Sequence, residues 1–333
     1  MAFYFAGGED SEFIKNGNAS MLSVVTGTTF KRSQARCSLQ NYLTAGGIQN
    51  TTWWSAALAS AITNLWLTCR FGSNATSVAG YFIFGLSKAG IRRIGVVGSG
   101  VSGKMSIGKV TVGNVFTILA TESGTFAANT LYKLDLQIIN FGATGTINLY
   151  RDGTLICTFT GDLTTDSITN LDGIILGTND VLVTANFSEI ICTDADTRSL
   201  GLITMDPAAN GNTYNWTNSF ASVNETVLDD ATLIVGAANN DTAQFTAVTS
   251  RVGTVNTIAG VVISGRFQKG SGVQQLNFGV RTGGVDYWSL DQVLQTTLIN
   301  GQYVFEQNPA TASDWTQAQI TAAGFNFGVR AKT

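Results

Sequence analysis

No histidine occurs anywhere in the 333 residues. Histidine is the side chain that most readily exchanges protons near neutral pH and the commonest metal ligand. Its absence argues against Ser-His-Asp chemistry, Cys-His chemistry and a catalytic zinc centre. Charge is scarce too: 12% of residues are Asp, Glu, Lys or Arg, against about a quarter in an average soluble domain. The net charge of -3 leaves no footprint for nucleic acid, and no basic cluster exceeds Arg92-Arg93. Glutamate is nearly missing, with six residues against sixteen aspartates. Glutamate favours helices while aspartate favours turns and caps, so the imbalance points to strands joined by many turns. The opening residues Met1 to Asp10 hold no basic region and no apolar core, which excludes a secretory signal there. The longest mainly apolar stretch, Trp53 to Leu67, is broken by Ser, Thr and Asn, too short and polar to span a bilayer. The expectation is a chain made in a cytoplasm, without membrane insertion and without export by a cleaved signal.

Cysteine is sparse and scattered. Cys37, Cys69, Cys157 and Cys192 form no C-x-x-C pair, so they read as small buried apolar residues rather than disulfides or a zinc site.

What is present is glycine (37 residues) and alternation. Leu65, Leu67, Cys69 and Phe71 alternate with Trp66, Thr68 and Arg70. Tyr132, Leu134, Leu136 and Ile138 alternate with Lys133, Asp135 and Gln137. Further strands are expected at Tyr81–Leu86, Ile91–Val97, Met105–Val110 and Val115–Thr121. Ile147 to Phe159 reads as a hairpin turning at Asp152-Gly153. Ile174–Gly177 and Ala185–Cys192 follow. Short strands at this spacing predict a sandwich or barrel. A polar knot at Asp194–Arg198 marks a boundary, and the chain restarts at Leu200–Met205. Asp206–Asn212, containing Pro207, reads as a loop. Strands are expected at Ala231–Gly236, Gly260–Lys269, Gln274–Thr282 and Gln302–Gln307. One short helix is expected with Ser313 as cap, Gln317 completing an approximate capping box and Gly324 as terminator. Phe325–Val329 makes a last strand.

The segment Leu131 to Arg198 resembles the concanavalin A-like, or laminin-G-like, jelly roll. The resemblance lies in the long alternating strand, the Asp-Gly hairpin ending Phe159-Thr160-Gly161-Asp162, then Leu171 to Gly177, then Phe187-Ser188-Glu189-Ile190. The second half resembles a module that follows such jelly rolls in structural proteins of tailed bacteriophages. It does so at Asp196-Thr197-Arg198 running on to Asn215-Trp216-Thr217, at Thr282 to Tyr287, and at Asn308 to Thr316 followed by Phe325 to Val329. The resemblance implies a virion component and names packing and turn residues, not catalytic ones.

Jelly rolls of this class include glucanases. The string Glu-x-Asp-x-x-Glu that would set two carboxylates on one strand is absent. Calcium is another inheritance of the fold. Asp162, Asp166 and Asp172 form one Asp-rich loop and Asp194 with Asp196 another, as weak candidate ligands whose plain reading is turn and cap residues. The Ser/Gly run Gly98–Gly103 lacks the Gly-Lys-Ser/Thr that would complete a phosphate loop and reads as a hairpin tip. The aromatic pairs Trp53-Trp54 and Tyr287-Trp288 are the candidates for glycan contact, since sugars stack on such rings. Neighbours in a strand point to opposite faces, so one ring of each pair can be core and the other free for a sugar or a subunit.

The expected architecture is all-β: two tandem β-sandwich domains with one short helix near the C-terminus. Residues 1–198 would form a concanavalin A-like jelly roll and 199–333 a smaller virion module. The expected function is a non-enzymatic structural component of a tailed phage particle (fibre-like, tail-tip or capsid-decorating) without catalytic residues or an obligatory cofactor. It would associate with other virion proteins and itself as a homo-oligomer. The alternative is an adhesin or lectin recognising host surface glycans.

Overall fold

A computed structural model describes residues 1–16, 22–27, 29, 31–42, 53–76, 82–99, 101, 103–111, 113, 115–177, 184–227, 229–255 and 257–333. Tyr81, Gly100 and Ser102, which fall in two of the segments read above, lie outside the described residues. Two compact units form, one from Met1–Glu9 and Phe13–Leu202, the other from Asp10–Glu12 and Ile203–Thr333. The division after Leu202 comes later than residue 198 because residues up to Leu202 are still hydrogen-bonded onto the first unit.

The first unit holds β1 (Phe3–Gly7), β2 (Ile14–Asn16), β3 (Leu22–Val25), β4 (Ser38–Tyr42), β5 (Trp53–Ile62), β6 (Leu65–Ser73), β7 (Phe82–Lys88) and β8 (Ile91–Gly98). It continues with β9 (Met105–Val110), β10 (Phe116–Thr121), β11 (Leu131–Ile139), β12 (Gly145–Arg151), β13 (Thr154–Gly161), β14 (Leu171–Leu176) and β15 (Thr184–Thr193). One antiparallel sheet runs β13-β12-β11-β6-β15-β4-β3, with β1 also on β15. The other runs β10-β9-β8-β7-β14-β5-β2. Runs of consecutive strands (β7 to β10, β11 to β13) stay in one sheet while β5, β6, β14 and β15 alternate between the two, so the unit is a two-sheet antiparallel β-sandwich of jelly-roll type. The alternation read from the sequence builds its core: Leu65, Leu67, Cys69 and Phe71 of β6 and Leu134, Leu136 and Ile138 of β11 share one buried cluster with Phe84, Ile94 and Leu176 of the facing sheet.

Two local devices set the registers. Arg151 pairs Thr154 across the two-residue turn Asp152-Gly153, with φ of 49° and 81°, the left-handed pair that matches strand twist. In β15 the register slips between Ser188 and Ile191, with Glu189 at φ 52°. This bulge changes the parity of the core residues from Ala185 and Phe187 to Ile190 and Cys192. All four cysteines are buried thiols. Burial pushes the Cys157 thiol up to about 12, which leaves it an inert apolar filler.

The second unit holds β16 (Pro207–Tyr214), β17 (Thr242–Ala247), β18 (Val261–Phe267), β19 (Gln275–Thr282), β20 (Val285–Trp288), β21 (Gln292–Val293), β22 (Ile299–Phe305), the one-turn helix α1 (Gln317–Ile320) and β23 (Asn326–Lys332). Its main sheet runs β16-β17-β23-β19-β20 with β21 also on β19, and β18 pairs β22 as a separate ribbon. Phe245, Leu276, Phe278 and Val329 of the sheet share a core with Ile263 and Phe305 of the ribbon and with Trp315.

Three local expectations are corrected. The stretch 206–212 is not a loop but most of β16. Pro207 is tolerated because it opens the strand and the strand is an edge, where a missing N–H costs no ladder bond. No strand forms at 231–236, where Val235 makes only an isolated bridge to Thr217. The helix is capped by Thr316 with Gln319, not by Ser313 with Gln317: the Thr316 hydroxyl accepts from the Gln319 amide and the Gln319 side chain accepts from the Thr316 amide. Ser313 is occupied earlier, its carbonyl accepting from the Asn308 amide.

Candidate functional site

The four aromatic candidates separate cleanly. Trp54 is fully buried, its indole N–H donating to the Gln40 carbonyl at 3.2 Å. It has no surface for a ligand, and that expectation is corrected. Trp53 points to the outer face of its sheet and packs against Val97, Val110 and Ile175, with the Arg92 guanidinium 5.3 Å from its ring. The same guanidinium lies 5.7 Å from Phe116, and burial lowers its pKa to about 10. Tyr287 turns inward onto the core of the second unit. Trp288, its neighbour in β20, therefore turns outward, and it is half-buried.

The strand registers explain where the Trp288 ring goes. Gln244, Gly328, Gly279 and Trp288 form one row across β17, β23, β19 and β20. The two central positions carry no side chain, and a Cβ on Gly279 would overlap the indole of Trp288. The ring is thus set into a glycine floor. On one side of this row lie Asn326, Arg281 and Asp286, and on the other Arg330 and Asn277.

These neighbours hold one another. Asp286 Oδ1 accepts from Gln244 Nε2 at 2.8 Å and from Arg281 Nη1 at 2.8 Å. Asn277 Oδ1 accepts from Arg330 Nε at 3.1 Å and from Nη2 at 2.9 Å. Asn277 Nδ2 donates to the Ser289 carbonyl at 3.1 Å and to Asp291 Oδ1 at 2.7 Å. The Arg330 guanidinium lies 4.7 Å from the Trp288 ring centroid. Gln244 and Asn277 are almost wholly buried, so the face is a rigid array of planar amide, carboxylate and guanidinium groups around one aromatic ring.

The candidate calcium ligands do not converge. Asp162 accepts from Lys109 and from Thr164, and these bonds, led by the Thr164 hydroxyl, lower its pKa to about 2. Asp166 pairs with Arg93 and Asp172 with Lys88. Asp194 accepts from the Ala2 amide and Asp196 from Arg198. Among the described residues no three His, Cys, Asp or Glu side chains come together as metal ligands. Each of these aspartates is engaged in a local hydrogen bond or an ion pair.

Sequence reasoning missed one open cleft of about 420 Å³ in the first unit, lined by Tyr4, Ser60, Thr63, Asn64, Thr169 and Asn170 among others. Burial, with Asp194 nearby, raises the Tyr4 pKa. The lining is hydroxyl and amide, without a carboxylate pair. No helix among the described residues is long and apolar enough to cross a membrane.

No family description and no curated protein matches this sequence. Among solved structures, the endo-beta-1,4-glucuronan lyase from the fungus Trichoderma reesei is similar at 12% identity, covering 58% of this chain and 96% of its own, with a TM-score of 0.42. A carbohydrate-binding module from Bacillus subtilis is similar at 10% identity over 55% of this chain and 95% of its own, with a TM-score of 0.36. The binding domain of botulinum neurotoxin DC in complex with SialylT is similar at 11% identity over 96% of this chain and 76% of its own, with a TM-score of 0.38. At these values none of the three bears on what this chain binds.

Proposed function

We propose that the chain is a non-enzymatic carbohydrate-binding protein whose glycan-contacting face is the outer surface of the second unit's sheet around Trp288. The observation that carries this reading is the row Gln244-Gly328-Gly279-Trp288, which seats a half-buried indole among fixed hydrogen-bonding groups. A sugar presents an apolar ring face to an aromatic side chain and equatorial hydroxyls to charged groups. The partly exposed Asp286, Arg281 and Arg330, held in place by the buried amides of Gln244 and Asn277, offer the latter at low ordering cost. The carboxylates are poorly disposed for glycoside hydrolysis: Asp286 is held by two donors and Asp291 by Asn277. The test is a glycan array probed with the natural chain and with Trp288→Ala. The natural chain should mark a defined set of glycans, and Trp288→Ala should weaken them roughly tenfold or more, about 1.4 kcal/mol. An array blank for both, or unchanged by the substitution, overturns the reading.

A second reading, compatible with the first, is assembly into a particle, as the phage-module resemblance implies. It is favoured by the exposed apolar side chains Val285, Leu290 and Val293, which are 51%, 82% and 71% exposed along the β20–β21 edge. An uncovered apolar strand edge is a pairing surface. Its occupant in this reading is a second copy or a neighbouring virion protein. Light scattering should then give an oligomer that Leu290→Asp with Val293→Asp converts to monomer. A monomeric natural chain contradicts self-assembly.

A further inference from the structure

The two cations at the Trp288 face are answered differently: Arg281 meets Asp286 directly, whereas Arg330 reaches the carboxylate of Asp291 only through the Asn277 amide. Asp286 is answered by Arg281 and Gln244. Arg330 is answered by no carboxylate: among the described residues it makes no ion pair, and its partners are the Asn277 amide oxygen and the Trp288 ring. Its Nε and Nη2 donate to Asn277, and among the described residues no acceptor is seen for the Nη1 edge of the fork. The group cannot swing away easily, because Asn277 is itself held by Ser289 and Asp291. A half-buried, fixed guanidinium beside an aromatic ring is a receptor for a carboxylate, which takes paired N–H donors in one plane.

We infer that the saccharide bound at this face is acidic, with its carboxylate received by Arg330 and its body resting against the part of the Trp288 indole that stays exposed beside the guanidinium. This rests on the glycan-binding reading above. Arg330 sets specificity and Trp288 supplies the stacking surface common to acidic and neutral sugars. The acidic preference falls as salt rises, because the ion pair sits at a partly exposed face.

Calorimetric titration of the full chain tests the inference with two matched pairs. The first is a short oligouronate and the same oligomer with its carboxylates reduced to alcohols. The second is a sialylated oligosaccharide and its desialylated core. The expected result is that at least one acidic member binds about tenfold or more tighter than its neutral match. Arg330→Gln should abolish that difference while leaving the weaker neutral binding in place. Which pair discriminates tells a uronic from a sialic acid. Equal binding of acid and neutral members by the natural chain overturns the acidic inference and leaves the glycan reading standing. Binding of none of the four, with a blank array, removes both. The acid-against-neutral comparison is made on the natural chain, so a poorly folded variant does not blunt it.

Discussion

Both units place a tryptophan and an arginine together on the outer face of a sheet, and the two places are built to opposite ends. In the first unit Trp66 stacks on Tyr150 with centroids 5.4 Å apart, and Arg198 lies over both rings at 5.3 and 4.7 Å. Arg198 is answered by Asp196, two residues away, through Nη2 at 2.6 Å and Nε at 3.0 Å. The segment carrying it is tied down: Lys133 Nζ donates to the carbonyls of Thr197, Arg198 and Leu200 at 2.7, 2.8 and 2.6 Å. Thr197 donates to the buried Asp135 at 2.9 Å, and the Leu202 amide donates to Glu189. That face is closed by its own chain. Around Trp288 the floor is glycine, the chain ties down only the far side of the face, where Asn212 and Thr213 donate to Asn326 and Gln244, and Arg330 makes no ion pair among the described residues. The same two residue types are a clasp in one unit and a receptor in the other, and the difference is whether the cation's partner is supplied by the chain.

The sharpest way to break the comparison is Lys133→Met. Lys133 is almost wholly buried and 3.7 Å from the fully buried Asp135. Removing one member of a buried pair leaves the other uncompensated, at about 3–5 kcal/mol. Denaturant unfolding should show the first unit losing that much, with glycan binding at Trp288 unchanged in the folded protein. Next comes the exchange of the two tryptophans for alanine. Trp66→Ala should cost about 3 kcal/mol, in the range for a buried aromatic. Trp288→Ala should cost nearer 1 kcal/mol, and only it should lose glycan. Equal stability costs, or glycan lost from Trp66→Ala alone, would erase the distinction. Gly279→Ala pushes a methyl into the indole seat. It should cost about 1–3 kcal/mol as overpacking and weaken glycan binding by displacing the ring, measured by unfolding and titration on the same sample.

The smallest effect belongs to Asp196→Asn. The hydrogen bond from Arg198 holds the Asp196 carboxyl below the usual carboxylate range. A depressed folded value means the stabilisation is present above the unfolded value and is lost as pH falls through the folded one. The pair is exposed, so Asp196→Asn should cost only about 0.2–1 kcal/mol at neutral pH. The gap in unfolding midpoint between the natural chain and Asp196→Asn should close as pH is taken from neutral to below about 3.9, the ordinary aspartate value. A gap that widens in acid would show the clasp is not electrostatic.

The jelly roll was legible because its strands alternate plainly. Residues such as Leu65, Leu67, Cys69 and Phe71 announce one buried face, and Asp152-Gly153 announces a tight turn. The parity change at Glu189 was not legible, since a bulge leaves no compositional mark in Ser-Glu-Ile-Ile. The strand at 207–214 was hidden because turn-forming residues are also admissible on an edge that needs few ladder bonds. At the site, Tyr287-Trp288 was visible as an aromatic pair, but which ring faced outward was settled by the β19–β20 register. Arg330, Asn277, Gln244 and Arg281 were missed because they come from three strands far apart in sequence. The signal that could have found them is the isolated glycine in Phe278-Gly279-Val280 and again in Phe327-Gly328-Val329. A glycine inside an alternating strand marks a place where something must come close.

The most direct test is to watch the indole N–H resonances of the chain by NMR while glycan is added, with Trp66 and Trp288 assigned from single tryptophan-to-phenylalanine variants. The account predicts that the Trp288 resonance moves saturably with bound glycan while that of Trp66 stays in place. Saturable binding that moves Trp66 and leaves Trp288 untouched would contradict it.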